Sequence, residues 1–217
     1  MIKELRQIIY KSFADHGVAP SINEISEFFE LSVEEAKNLL IQLAETKHIV
    51  LNENFEILMA HPFSSIPLGF SVMSEKTLWW GGCSWDSFAL TNLVKQEVVV
   101  ATTCPNCKNA HAWRVNPETP PQGNQVAHFL VPASRMWANV VFTCGNQRIF
   151  CNETCVDSWL QSNKYQKGYI MSLSTLWSLA SRWYEGRLDL DYQRRDPLTA
   201  SQYFREVGLS GNFWGLN

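Results

Sequence analysis

The stretch Trp79-Trp80-Gly81-Gly82-Cys83-Ser84-Trp85-Asp86-Ser87-Phe88 is where the chain changes its period. Two glycines end an aromatic, strand-like run. Beyond them Trp85, Phe88, Ala89 and Leu93 fall on one side of a helix expected over residues 84–93. Cys83 and Asp86 are three apart at the start of that helix, so they share a face. The amino end of a helix stabilises anions, which predicts a Cys83 thiolate of depressed pKa. A carboxylate one turn on can take or give a proton. The same residues also fit a buried cysteine beside an Asp that caps a helix, and C-x-x-D alone does not separate the two readings.

Downstream, the chain turns β-rich and aromatic. Residues 69–73, 98–103, 112–115, 125–131 and 137–143 read as strands, with a turn at Thr119-Pro120-Pro121-Gln122-Gly123. Helices are expected over residues 153–162 and from about 173 to 187. The polar, aromatic tail from Asp189 has no period that assigns it.

Upstream, Leu5, Ile8, Ile9 and Phe13 recur at helical spacing. Ser21 and Glu24 form a capping box for a second helix whose apolar face is Ile22, Ile25, Phe28 and Phe29. Ser32 and Glu35 do the same for a third, with Ala36, Leu39, Leu40 and Leu43 inside. Short strands at residues 48–51 and 55–59 follow, joined by Asn52-Glu53-Asn54. The fold class expected is therefore α+β: a winged-helix-like domain over residues 1–60, a linker over 61–68, and a mixed β-sheet domain with flanking helices over 69–217. A winged helix suggests DNA, but the third helix carries Glu34, Glu35, Lys37, Asn38 and Gln42, with no basic run to meet phosphates. A packing or substrate-covering module fits better.

The 217 residues are 46% hydrophobic and 18% charged, enough for a real core and too apolar for disorder. A net charge of −3 offers no field for nucleic acid or an anionic membrane. No apolar run reaches spanning length, and the start Met1-Ile2-Lys3-Glu4-Leu5-Arg6 lacks a signal-peptide core. The expected location is cytoplasmic, with six reduced cysteines, all between Cys83 and Cys155. Cys104-Pro105-Asn106-Cys107 and Cys151-x-x-x-Cys155 can supply the four sulfurs of a structural zinc site, which would leave Cys144 free of structural duty. Reduced cysteines packed as small hydrophobes are the plainer alternative. His111 and His128 are given no role.

These residues together resemble the organomercurial (alkylmercury) lyase family. Cys83-Ser84-Trp85-Asp86-Ser87-Phe88 is similar to the family's C-x-x-D signature, and Thr103-Cys104-Pro105 to the cysteine after its next strand. Phe142-Thr143-Cys144, with Phe150 following, is similar to its second catalytic cysteine. The resemblance continues through Asp157-Ser158-Trp159, Gly168-Tyr169-Ile170 and the helix near Trp177, spanning roughly residues 69–187. It implies protonolysis of a carbon–mercury bond. Cys83 attacks the mercury, Cys144 supplies a second sulfur, and Asp86 protonates the leaving carbon, giving a hydrocarbon and Hg(II) held by both sulfurs. Soft thiolates suit mercury, and a carbanion-like leaving group needs a placed proton donor.

The resemblance further implies no cofactor for catalysis, cellular thiols to remove the product, and mercuric reductase as a downstream acceptor. Trp80 and Trp85 are the expected substrate-binding aromatics. Gly81-Gly82, Cys107, Cys151 and Cys155 depart from the family pattern. The run from Cys144 to Cys155 also resembles treble-clef-like metal-trafficking modules. The rival function is a thiolate metal-binding regulator or carrier, which has no need of a proton donor at Asp86.

Overall fold

The fold was analysed in a computed structural model that describes residues 1–216. Three helices open the chain: α1 (Ile2–His16), α2 (Ile22–Phe28) and α3 (Val33–Glu45). Both expected capping boxes form. Ser21 and Ser32 accept the N3 amides, and Glu24 and Glu35 reach back to the cap amides. Ile25, Ala36, Leu40 and Leu43 turn inward as their spacing requires, but Phe28, the last residue of α2, is 67% exposed.

Strands β1 (Val50–Leu51), β2 (Ile57–Ala60), β3 (Phe63–Ser64), β4 (Phe70–Met73) and β5 (Leu78–Gly81) follow. After helix α4 (Ser84–Val94) come β6 (Val98–Thr103) and β7 (Ala110–Val115), completing a seven-stranded sheet of order β1-β2-β3-β5-β4-β6-β7. The sheet is continuous from the amino-terminal hairpin onward, and the segment expected as a linker contributes β3 between β2 and β5. The rest of the chain forms β8 (Val126–Phe129), α5 (Val140–Gly145), β9 (Gln147–Phe150), α6 (Glu153–Asn163), β10 (Tyr169–Ser172), α7 (Leu173–Ser181) and α8 (Pro197–Glu206). A second sheet has order β10-β8-β9.

Three expectations need correction. Every pairing in both sheets is antiparallel, so the sheets are not mixed. Residues 137–143 are not a strand: Asn139 caps α5 through the Phe142 amide, and a cap with a following turn overrides the strand preference of Val140 and Val141. The strand lies a few residues later, at β9. The helix expected to reach 187 ends as α7 at Ser181, and the tail contains α8, capped by Asp196 with Pro197 at its first position.

The core is centred on α4. It is apolar on nearly every side, as a helix enclosed by protein must be. It connects β5 to β6 across the intervening β4, and packs between the large sheet, α7 and β9. Trp79 on β5 is fully buried, and its Nε1 donates to the Phe13 carbonyl at 2.7 Å, which ties α1 to the sheet. Burial of a side chain of that size contributes about 2–3 kcal/mol. The amino end of α4 therefore sits deep in the molecule, at the end of a strand anchored by Trp79.

Candidate active site

Cys83 is the cap residue of α4 and is 2% exposed. Its sulfur accepts the Asp86 amide at 3.5 Å, and its thiol donates to Asp86 Oδ2 at 3.2 Å. The expected sharing of one helical face thus becomes a direct thiol–carboxylate contact. The two preceding glycines make it possible. A Cβ on Gly82 would lie 2.3 Å from Asp86 Oδ2, and one on Gly81 would lie 1.9 Å from Ser87 Oγ. Ser87 in turn donates to the Cys83 carbonyl at 2.6 Å, fixing the turn.

Cys144 arrives from α5. Its sulfur lies 3.9 Å from Asp86 Oδ2 and 3.4 Å from His61 Nε2. His61, just ahead of β3, is buried, as are Asp86 and Cys144. Tyr184, beyond α7, donates to the other carboxylate oxygen, Asp86 Oδ1, at 2.5 Å. The Arg187 guanidinium stacks over the Tyr184 ring at 4.9 Å and donates to the Tyr10 hydroxyl at 3.2 Å. Asp86 is thus contacted from three sides, by Cys83, Cys144 and Tyr184.

The two thiols are not equivalent. Burial pushes the Cys83 thiol well above its ordinary pKa, and its contacts with Cys144 and Asp86 push the same way. Cys144 is held below the usual thiol value, first by its interaction with the neighbouring Cys83 side chain and then by the His61 ring beside it, against the effect of burial. Burial disfavours a charged His61, but the Asp86 carboxylate and the Cys144 sulfur outweigh it and raise its pKa. Burial and the nearby carboxylate keep Tyr184 protonated, so it acts as a donor. The depressed pKa expected at Cys83 is therefore absent. The helix terminus loses to desolvation, and of the two thiols it is Cys144, beside the His61 ring, that is shifted toward the thiolate.

These groups open into a cavity of about 420 Å³. Trp85, Met136, Trp137 and Val140 form apolar wall, while Lys47, Arg187, Arg194 and Arg195 bring positive charge. Thr46 and Lys47, at the end of α3, place the amino-terminal helices at its rim. Trp85 lines this cavity, but Trp80 does not, which corrects its assignment to the site. Side chains alternate along β5, so Trp79 points inward and Trp80 outward, into a separate groove with Phe70 and His111.

The other four thiols gather elsewhere. The sulfurs of Cys104, Cys107, Cys151 and Cys155 all lie within 4.8 Å of one another, while the second such group is His61, Asp86 and Cys144. All six cysteines are free. His111 Nε2 lies 3.4 Å from the Cys151 sulfur. His128 accepts the Gly168 amide at 3.0 Å, a bond that ties β8 to the loop before β10.

Sequence reasoning missed His61 and Tyr184. His61 sits in a Pro-rich segment that reads as connection, and Tyr184 follows a helix with no motif around it. The one available signal was chemical: a buried thiolate needs a cation, and His61 is one of five histidines on the chain.

The geometry agrees with relationships to known proteins. The fold is similar to the crystal structure of the mercury-bound form of MerB2, with a TM-score of 0.65 and 18% identity over 86% of this chain and 92% of that one. None of the curated proteins matches the sequence. Residues 63–185, more than half of the chain and the stretch that contains both thiol groups, match the MerB alkylmercury lyase family. The chain belongs to the alkylmercury lyase family, enzymes that split the carbon–mercury bond of organomercurials into a hydrocarbon and Hg(II).

Proposed function

We propose that Cys144, Cys83 and Asp86 perform this protonolysis, with His61 and Tyr184 holding them in the required protonation states. The Cys144 thiolate, paired with His61, takes the mercury of R–Hg–X first and displaces X⁻. Cys83 then passes its proton to Asp86 along their 3.2 Å contact, and its sulfur joins the mercury. The metal now carries two thiolates and the organic group. Extra sulfur donation weakens the Hg–C bond, and the protonated Asp86 delivers its proton to the carbon. The Hg–C electron pair becomes the new C–H bond, R–H leaves, and Hg(II) stays between two sulfurs. Asp86 ends as the carboxylate it began as.

The observation that carries this reading is one buried carboxylate touching both thiols, at 3.2 and 3.9 Å. Metal storage needs the sulfurs but has no use for the proton relay. Burial matters too, since it keeps bulk water from replacing the placed proton donor. The apolar wall around Trp85 suits the organic group, and the basic rim suits departing X⁻.

The helices and hairpin of residues 1–60 act as a winged-helix-like module that covers the cavity from the Thr46–Lys47 corner, and residues 69–217, joined by His61 from the connecting segment, form the catalytic unit. The acidic character of α3 speaks against nucleic acid as its partner. No described helix is long and apolar enough to cross a membrane. The reaction itself uses no cofactor. A cytoplasmic location supplies the reduced thiols that lift Hg(II) from the two sulfurs, and a mercuric reductase is a fitting acceptor for it in a mercury-resistance system.

The test is turnover of phenylmercuric acetate in excess thiol, followed by benzene release, beside Cys83→Ala, Asp86→Ala and Cys144→Ala. Benzene from the wild type and none from the variants supports the assignment. Wild-type protein that binds the mercurial and releases no benzene overturns it in favour of a metal-binding role.

A further inference from the structure

Cys104 and Cys107 sit at the turn between β6 and β7. The turn is tight: the Cys104 amide donates to the Asn109 carbonyl at 2.9 Å and the Lys108 amide to the Cys104 carbonyl at 3.0 Å, with Lys108 in the left-handed region at φ 64°. This presents two sulfurs, three residues apart, on the same side. Cys151 and Cys155 come from the end of β9 and the first turn of α6. There Asn152 caps the helix by accepting the Cys155 amide at 2.9 Å, so Cys155 lies at the positive end of the helix. The hairpin of the large sheet and the strand–helix corner of the small sheet thus converge on one point, with the four sulfurs all within 4.8 Å.

We propose that Cys104, Cys107, Cys151 and Cys155 bind a structural Zn²⁺ ion as a tetrahedral tetrathiolate that bolts the two sheets together. Zinc–sulfur bonds of about 2.3 Å place tetrahedral sulfurs roughly 3.8 Å apart, so the wider pairs need only close, and the closest pair only open, by small shifts. Cys107 and Cys151 are already 3.3 Å apart. No carboxylate belongs to the group, in contrast to Asp86 in the buried site. A closed set of four sulfurs, with no position left open for a reactant, is the pattern of a structural ion. His111 lies against the outside of the group, its Nε2 3.4 Å from Cys151, where a ring N–H can donate to a bound thiolate. Cys104 is fully buried in a small hydrophobic cluster with Phe150, Val156 and Leu160, while Cys107 is exposed, so an ion can enter from one side.

The ion would steady the catalytic machinery at a distance. Cys151 directly follows β9, and Cys144 lies just before it in α5. Holding the far end of β9 against the β6–β7 turn fixes the strand that leads to the second catalytic thiol. The metal takes no part in the chemistry.

The test is the metal content of the full chain purified under reducing conditions from zinc-supplemented medium. One zinc per chain is expected in the wild type and in Cys83→Ala/Cys144→Ala, with loss in Cys107→Ser/Cys151→Ser. Should that double variant fail to fold, the wild type stripped by chelator and titrated with Co²⁺ decides. A thiolate-to-cobalt charge-transfer band with tetrahedral visible bands, both abolished by Zn²⁺, supports the site. Zinc that disappears with Cys83 and Cys144, a zinc-free wild type without the cobalt spectrum, or disulfides among these four cysteines in the freshly purified protein would each overturn it.

Discussion

The molecule holds two groups of thiols that differ in almost every physical respect. Cys83 and Cys144 are buried, share a carboxylate, and differ in acidity, with one thiol's pKa pushed up and the other's held down. Cys104, Cys107, Cys151 and Cys155 run from buried Cys104 to exposed Cys107, with no acid in the group and only His111 at its edge. The first arrangement can bind a soft metal and move a proton. The second can only bind. Sulfur count sets affinity for mercury or zinc, and the proton donor makes one of the two sites reactive.

The comparison can be broken most severely at the thiols. Changing either Cys83 or Cys144 to Ser should lower turnover on the order of 10⁴-fold or more, since the two act as a unit. Benzene release at a near-normal rate from either variant would mean that chemistry does not need the pair. Next in size is Gly82→Ala. Its new methyl would meet Asp86 Oδ2 at 2.3 Å and Met59 Cε at 2.8 Å, so the carboxylate must move. Overpacking should cost roughly 1–3 kcal/mol in a denaturant melt. The displaced donor should reduce turnover by about 10²-fold. A variant with full stability and activity would show that the glycine is not what lets the carboxylate approach.

Tyr184→Phe should act more gently. It removes one hydrogen bond to Asp86 and leaves the ring, so turnover should fall by about tenfold, with mercurial binding little changed. The smallest effect is a shift in pH dependence. His61 helps hold Cys144 below its ordinary pKa, so His61→Gln should let that thiol rise. The acid limb of kcat/KM would then move to higher pH. For stability, the lowered thiol contributes above its unfolded pKa and loses that contribution as pH falls through the folded value. The raised imidazolium contributes below its unfolded pKa and loses it as pH climbs through the folded one. An unmoved acid limb would assign the limb to another group.

Much of this was legible in the residues. The two capping boxes, the Cys83–Asp86 spacing at a helix start, and the separation of Cys144 from the four-cysteine set all follow from local chemistry. What was not legible depends on contacts between distant segments. His61 reaches Cys144, and Tyr184 reaches Asp86, across 83 and 98 residues of chain, and no periodicity announces them. Trp80 was misplaced because it neighbours Cys83 in sequence, while β5 turns it to the other face. The Cys83 pKa was misjudged because a helix terminus is visible in a sequence and the depth of its burial is not. Val140 and Val141 suggested a strand, but Asn139 and the turn after it make a helix.

The most direct test of the central claim is a single turnover of phenylmercury by wild type and Asp86→Asn, following both mercury bound and benzene released. The asparagine keeps the shape and removes the proton relay. Wild type should release one benzene per mercury bound, while Asp86→Asn should bind the mercurial and release benzene about 10²–10⁴-fold more slowly. Equal release rates from the two proteins would contradict the account, because the carbon would then take its proton from somewhere other than Asp86.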